Sequence, residues 1–194
     1  MSSFAWASQA RPDAPVAVLL PGSGYPVQGP LLHWCAEILA AQGWHVEAVV
    51  WTVDEAAQAD PYSFVNAAVE AAFDSAPPSR QRLVVAKSFG TFALPWAIEN
   101  DVSGVWLTPV LTAGAVRGAL ERASERHLAV GGTGDALWRV EGLTPAGADV
   151  MTIAGANHSL EIADDWKESL AAQARVFDAV ARHVESLSPP HRAS

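Results

Sequence analysis

Apolar residues in this chain concentrate in short β-rich runs, separated by longer stretches of helical pattern. Val16 to Leu20 is apolar throughout and stops abruptly at Pro21-Gly22-Ser23-Gly24. Trp44 to Trp51, Arg82 to Ala86, Val102 to Leu107, Leu128 to Val130 and Val150 to Ile153 complete the set. A run that is apolar on both faces is a strand covered on both sides, which is the habit of a parallel sheet. Between the runs, Leu31 to Gln42, Pro61 to Ser75, Phe89 to Asn100, Ala113 to Ala123 and Trp166 to Val184 have helical composition. In the last of these, Leu170, Ala171, Ala174, Val176, Phe177, Val180 and Val184 form one apolar stripe. The alternation predicts an α/β fold, a mostly parallel sheet of about six strands flanked by helices.

The length of 194 residues fits one domain, expected over 16–185. It leaves an N-terminal segment, 1–15, and a Pro- and Ser-containing tail, 186–194, expected to be flexible. Half the residues are apolar, and only 17 % are charged against a common ~25 %, so the chain can build an ordinary core. A net charge of −9 without any basic run argues against nucleic acid as a partner. The N-terminus lacks the basic and apolar regions of a signal peptide, and no apolar stretch approaches the ~20 residues of a membrane span. Cys35 is the only cysteine, so no intramolecular disulfide can form. A soluble, cytoplasmic protein acting on a small molecule is expected, with no membrane partner; its oligomeric state is open.

The informative segment is Leu83-Val84-Val85-Ala86-Lys87-Ser88-Phe89-Gly90-Thr91, where an apolar run leads straight into a serine and then a helix. It resembles the nucleophile elbow of α/β hydrolases, G-x-S-x-G, with Ala86 in place of the first glycine. Small residues two positions either side let the chain turn tightly and expose the hydroxyl above the sheet. The helix start behind it favours developing negative charge. Read plainly, the same segment is a strand followed by a Ser-capped helix.

Three other places bear on that choice. Gly131-Gly132-Thr133-Gly134-Asp135 follows an apolar run and resembles the loop that carries a triad acid; its plain reading is a turn with Asp as a helix cap. Ala154-Gly155-Ala156-Asn157-His158 follows the next run and resembles the turn presenting a catalytic histidine. Leu19-Leu20-Pro21-Gly22-Ser23-Gly24-Tyr25 resembles the early loop that supplies an oxyanion-hole N–H, with Pro21 where many relatives have His. The order serine, acid, histidine is that of the superfamily. Asp149 and Asp164 are alternative acids, and His33, His45, His127, His183 and His191 are read as surface residues without a role.

The resemblance covers Val16 to Val184 and looks most like small lidless, dienelactone-hydrolase-like members of the α/β-hydrolase superfamily. Too few residues separate Pro109 from Ala113 for a cap domain. The resemblance implies a hydrolase of a small ester or thioester with Ser88, Asp135 and His158 as the triad. The N–H groups of Ser23 or Gly24 and of Phe89 would form the oxyanion hole, with no cofactor and no metal. Lyase, cyclase or epimerase chemistry on the same triad, or a binding protein without activity, are the alternatives. Trp106 and Trp138 are the tryptophans expected nearest a pocket.

Overall fold

The computed structural model describes residues 1–9, 11 and 13–187. Each apolar run becomes a strand of one sheet: β2 (Val16–Leu20), β3 (His45–Val50), β4 (Arg82–Lys87), β5 (Ser103–Leu107), β6 (His127–Gly132) and β7 (Asp149–Ile153). These six are parallel neighbours in the order β3-β2-β4-β5-β6-β7. A seventh strand, β1 (Ser2–Ala7), pairs antiparallel with β3, Ser2 opposite Val50. It lies in the segment expected to stand apart from the domain. Only Phe4 and Trp6 give it bulk, and an edge strand with one open face needs no continuous apolar run. That is why the hydrophobic pattern passes over it.

Helices α1 (Pro30–Ala41) and α6 (Trp166–Leu187) cover one face. Helices α3 (Pro61–Ser75), α4 (Leu94–Glu99) and α5 (Gly114–Arg122) cover the other, with short α2 (Glu55–Ala59) leading into α3. Strand alternation divides the core accordingly: Leu83 and Val85 point to the α1/α6 side, Val84 and Ala86 to the α3/α4 side. The helix expected from Phe89 begins instead as a 3-10 turn, Ser88–Ala93, before α4. Pro95 explains the change, because proline lacks an N–H and its ring crowds the carbonyl four residues back. Helix α6 takes in residues 186 and 187 of the expected tail; the rest of that tail lies outside the described residues.

No helix among the described residues is long and apolar enough to cross a membrane. Because β2, β4, β6 and β7 are parallel, their carboxyl ends share one edge of the sheet. The loops after them carry Ser23, Ser88, Asp135 and His158, and that edge is where open α/β sheets hold their ligands.

Candidate active site

Ser88 adopts φ 54°, a left-handed conformation that a non-glycine residue avoids at a cost of about 1–3 kcal/mol. The surroundings impose it. A Cβ on Gly90 would lie 2.7 Å from the Leu20 carbonyl oxygen, so the 3-10 turn can press against the end of β2 only without a side chain there. Ala86, fully buried between Leu20 and Trp106 in the neighbouring strands, meets the same demand for a small residue. The elbow leaves Ser88 partly exposed at the sheet edge.

The acid loop is held against the histidine loop by its glycines. A side chain on Gly132 would collide with the Ala156 carbonyl, and one on Gly134 would lie 2.9 Å from the Gly155 carbonyl. In the space so left, Gly134 N–H donates to the Ala156 carbonyl at 2.9 Å and Gly155 N–H to Thr133 Oγ1 at 2.7 Å. Asp135 is buried, and its Oδ1 accepts the Leu137 N–H at 2.9 Å. Its Oδ2 lies 2.7 Å from His158 Nδ1, and His158 Nε2 lies 2.7 Å from Ser88 Oγ. A carboxylate only accepts, so in the neutral imidazole Nδ1 donates to Asp135 and Nε2 accepts the Ser88 hydroxyl. Asn157 sets the histidine turn, its Oδ1 accepting N–H groups from Ser159 at 2.8 Å and Glu161 at 3.1 Å.

The structure separates Asp135 from its rivals. Asp149 opens β7 and so sits at the far end of the strand from His158. Asp164 is exposed and makes no hydrogen bond to His158 among the described residues. The cap on α6 comes from Asp165, whose Oδ1 accepts the Glu168 N–H at 2.9 Å.

In the early loop, Gly22 N–H is committed to the Tyr25 carbonyl at 3.0 Å. Ser23 and Gly24 are exposed, and their N–H groups make no hydrogen bond to the described residues. Phe89 lies in the first turn of the 3-10 helix, where backbone N–H groups lack an intrahelical partner. The arrangement thus offers a hydroxyl, a base that reaches it, an acid that orients the base, and free N–H groups on the adjoining loop and turn.

The expectations about Trp106 and about the histidines are corrected. Trp106 is fully buried and donates to His127 Nδ1 at 3.2 Å; Trp138 is buried and donates to Thr152 Oγ1 at 3.1 Å. Trp106 is closed off from solvent, whereas Trp138 borders a cavity of about 220 Å³ beside Asp135. Trp51 stands on the early-loop side of the site: its Nε1 donates to the Gly22 carbonyl at 3.2 Å, and its ring meets Phe89 edge-on. It borders a cavity of about 200 Å³ between the early loop and the end of β3. His45, His127 and His183 are buried rather than superficial, and His191 lies outside the described residues. Lys87, beside Ser88, is also buried, and its ammonium is pulled down to about 8 by burial, against the charge of Asp135. The sequence showed its position in the elbow but not which way its side chain points. Burial pushes the Cys35 thiol up to about 12, which leaves it inert as a nucleophile. Among the described residues, no group of three His, Cys, Asp or Glu side chains is placed to hold a metal ion.

No protein-family model and no curated protein matches the sequence. Solved structures do resemble the fold. Esterase Est1E from Butyrivibrio proteoclasticus superposes with a TM-score of 0.70 at 14 % identity, over 95 % of this chain and 93 % of its own. A protein of unknown function from Agrobacterium tumefaciens, provisionally assigned as an α/β hydrolase, gives 0.68 at 17 %, over 96 % and 93 %. An α/β serine hydrolase without a lid from Xanthomonas campestris gives 0.61 at 13 %, over 96 % and 89 %. In agreement with the short connection between β5 and α5, the chain has the α/β-hydrolase fold in its lidless form.

Proposed function

We propose that the protein is a serine hydrolase that cleaves a small ester or thioester through an acyl-enzyme on Ser88. The observation that carries this reading is the unbroken pair of 2.7 Å contacts from Ser88 Oγ through His158 to Asp135. Serine is a weak nucleophile unless a base within hydrogen-bond reach removes its proton. In the proposed reaction Ser88 Oγ attacks the carbonyl carbon while His158 Nε2 takes the hydroxyl proton, and Asp135 stabilises the resulting imidazolium. The N–H of Phe89, with that of Ser23 or Gly24, donates to the developing oxyanion. His158 then protonates the leaving alkoxide or thiolate, and water attacks the acyl-enzyme by the same route in reverse.

The access route supports a small or protruding substrate. His158 keeps about a third of its side chain exposed, and residues 108–113, between β5 and α5, are too few to fold over it. A fluorophosphonate probe tests the reading directly. Labelling of the wild type that disappears in Ser88→Ala and His158→Ala is expected; a folded wild type that takes no label would reject it.

A further inference from the structure

One ionisable group that this mechanism leaves idle touches two parts of the site at once. Lys87 ends β4 immediately before Ser88 and is only 3 % exposed. Lysine is almost never buried so deeply unless something pairs with it. None of the ion pairs among the described residues includes it. Its ammonium lies 4.7 Å from the centroid of the Tyr25 ring, within cation–π range.

Tyr25 is itself tied at two points. Its carbonyl accepts the Gly22 N–H at 3.0 Å and closes the 22–25 turn, while its hydroxyl accepts the Leu31 N–H at 2.9 Å in the first turn of α1. The turn packs directly on the elbow, since a Cβ on Gly22 would lie 3.4 Å from Ser88 Cβ and 3.6 Å from Lys87 Cδ. Lys87 therefore reaches from the strand that presents the nucleophile to the ring that anchors the loop of Ser23 and Gly24.

We propose that Lys87 is a positioning residue: its ammonium, seated on the Tyr25 ring, fixes the 22–25 turn against the elbow and keeps the Ser23 and Gly24 N–H groups aimed at the oxyanion. The inference rests on the acyl-transfer reading above. Oxyanion donors act only when set at hydrogen-bond distance from the oxygen's position in the transition state. A misplacement of about 1 Å can cost about 10² in rate. An apolar side chain of equal length would fill the volume without being drawn to the negative face of the ring; arginine would be drawn to it.

The groups that face this contact are few. Asp135, on the loop after β6, acts on the Lys87 charge. Glu161, on the histidine loop, and Cys35, on α1, act on the Tyr25 phenol, which burial raises and so keeps neutral. With the ammonium brought down to about 8, the cation is present below that pH and lost above it. Turnover should then fall on the alkaline side through about pH 8 as the turn loosens. Arginine stays charged throughout and should remove that limb.

The test measures kcat and KM for p-nitrophenyl acetate against pH in wild type, Lys87→Met, Lys87→Arg, Tyr25→Leu and the Met/Leu double variant. Fluorophosphonate labelling and thermal melting accompany it. For Lys87→Met, kcat should fall about 10- to 100-fold with KM nearly unchanged. Lys87→Arg should keep most of the wild-type kcat near neutral pH and lose the alkaline limb. The double variant should be no worse than the poorer single one, because both break one contact. The assignment is overturned if folded Lys87→Met keeps wild-type kcat, or if Lys87→Arg retains the wild-type alkaline limb. Should Lys87→Met fail to fold, the Lys87→Arg profile decides alone. A wild type that neither hydrolyses the ester nor takes the label rejects the acyl-transfer reading, and this assignment with it. An active wild type with an indifferent Lys87→Met rejects only the assignment.

Discussion

The two ends of the sheet carry the same residue types in different circumstances. At the carboxyl end stand Ser88, His158 and Asp135; at the amino end stand Ser103, His127 and Asp101. In the amino-end group Arg126 takes the central place, its Nε donating to Ser103 Oγ at 3.1 Å and its Nη1 to Asp101 Oδ1 at 2.6 Å. His127 is buried, and its Nδ1 is occupied by the Trp106 N–H. Burial, together with the charges of Arg126 and His183, pulls His127 down to about 4. In that group no hydroxyl meets a base among the described residues, and although Asp101 shares the φ of 54°, Ser103 itself lies buried in the strand. At the carboxyl end the backbone leaves regular strand geometry, the hydroxyl faces an imidazole, and the imidazole stays partly open. Residue types do not make a site; the partner each one faces, and its access to solvent, do.

The sharpest way to break this contrast is Ser88→Ala. In the triad template, loss of the nucleophile lowers turnover by about 10⁶, and adding His158→Ala should cost little more because the pair acts as a unit. The matching change Ser103→Ala should leave turnover near wild type. Steady-state kinetics on a p-nitrophenyl ester compares them, and a large loss from Ser103→Ala would erase the distinction.

Asp135→Asn comes next. It keeps the shape but favours the wrong imidazole tautomer, and a loss of about 10⁴ in turnover is expected. Asp164→Asn on the exposed loop should change little; a reversal of the two results would transfer the acid to Asp164.

At the amino end the expected effect is on stability. A histidine held neutral at about 4 against an unfolded value of 6.5 contributes stability that is fully present above pH 6.5. That stability drains away as pH falls from 6.5 toward about 4, because only the unfolded chain takes up the proton there. The total is up to about 3 kcal/mol. His183, also lowered by burial, adds in the same direction. Urea denaturation across that range should show a shallower acid slope in His127→Gln, and an unchanged slope would mean that His127 is not the group responsible.

The smallest expected change separates backbone from side chain. Gly90→Ala forces a Cβ onto the Leu20 carbonyl and should cost about 1–3 kcal/mol of stability, with activity lost alongside as the elbow shifts. Gly118→Ala, at a half-buried position of α5 with only the tip of Arg122 nearby, should instead be neutral or slightly stabilising. Thermal melts of the two variants test the point.

Much of this could be read from the chain. The inner strands were legible because a strand covered on both faces is apolar at most positions, even though β3 also buries His45 and Glu47, and the elbow because Ala86 and Gly90 leave room for a turn that larger residues forbid. The Gly-Gly-Thr-Gly run before Asp135 carried its signal for the same reason: those glycines admit the neighbouring loop. Edge strand β1 escaped notice because its outer face is open and imposes no such demand. Its residues fall outside the pattern-based domain of 16–185, yet they complete the sheet.

The sequence by itself determined the α/β alternation, the order of serine, acid and histidine, and the turns that carry them, since each depends on local chain geometry. Only the tertiary structure decided which acid meets His158, where the tryptophans lie, and that Lys87 turns inward onto Tyr25. These are contacts between residues far apart in the chain, and they depend on how strands register and which loops end side by side. A string of residue types holds the candidates for such contacts, but packing chooses among them.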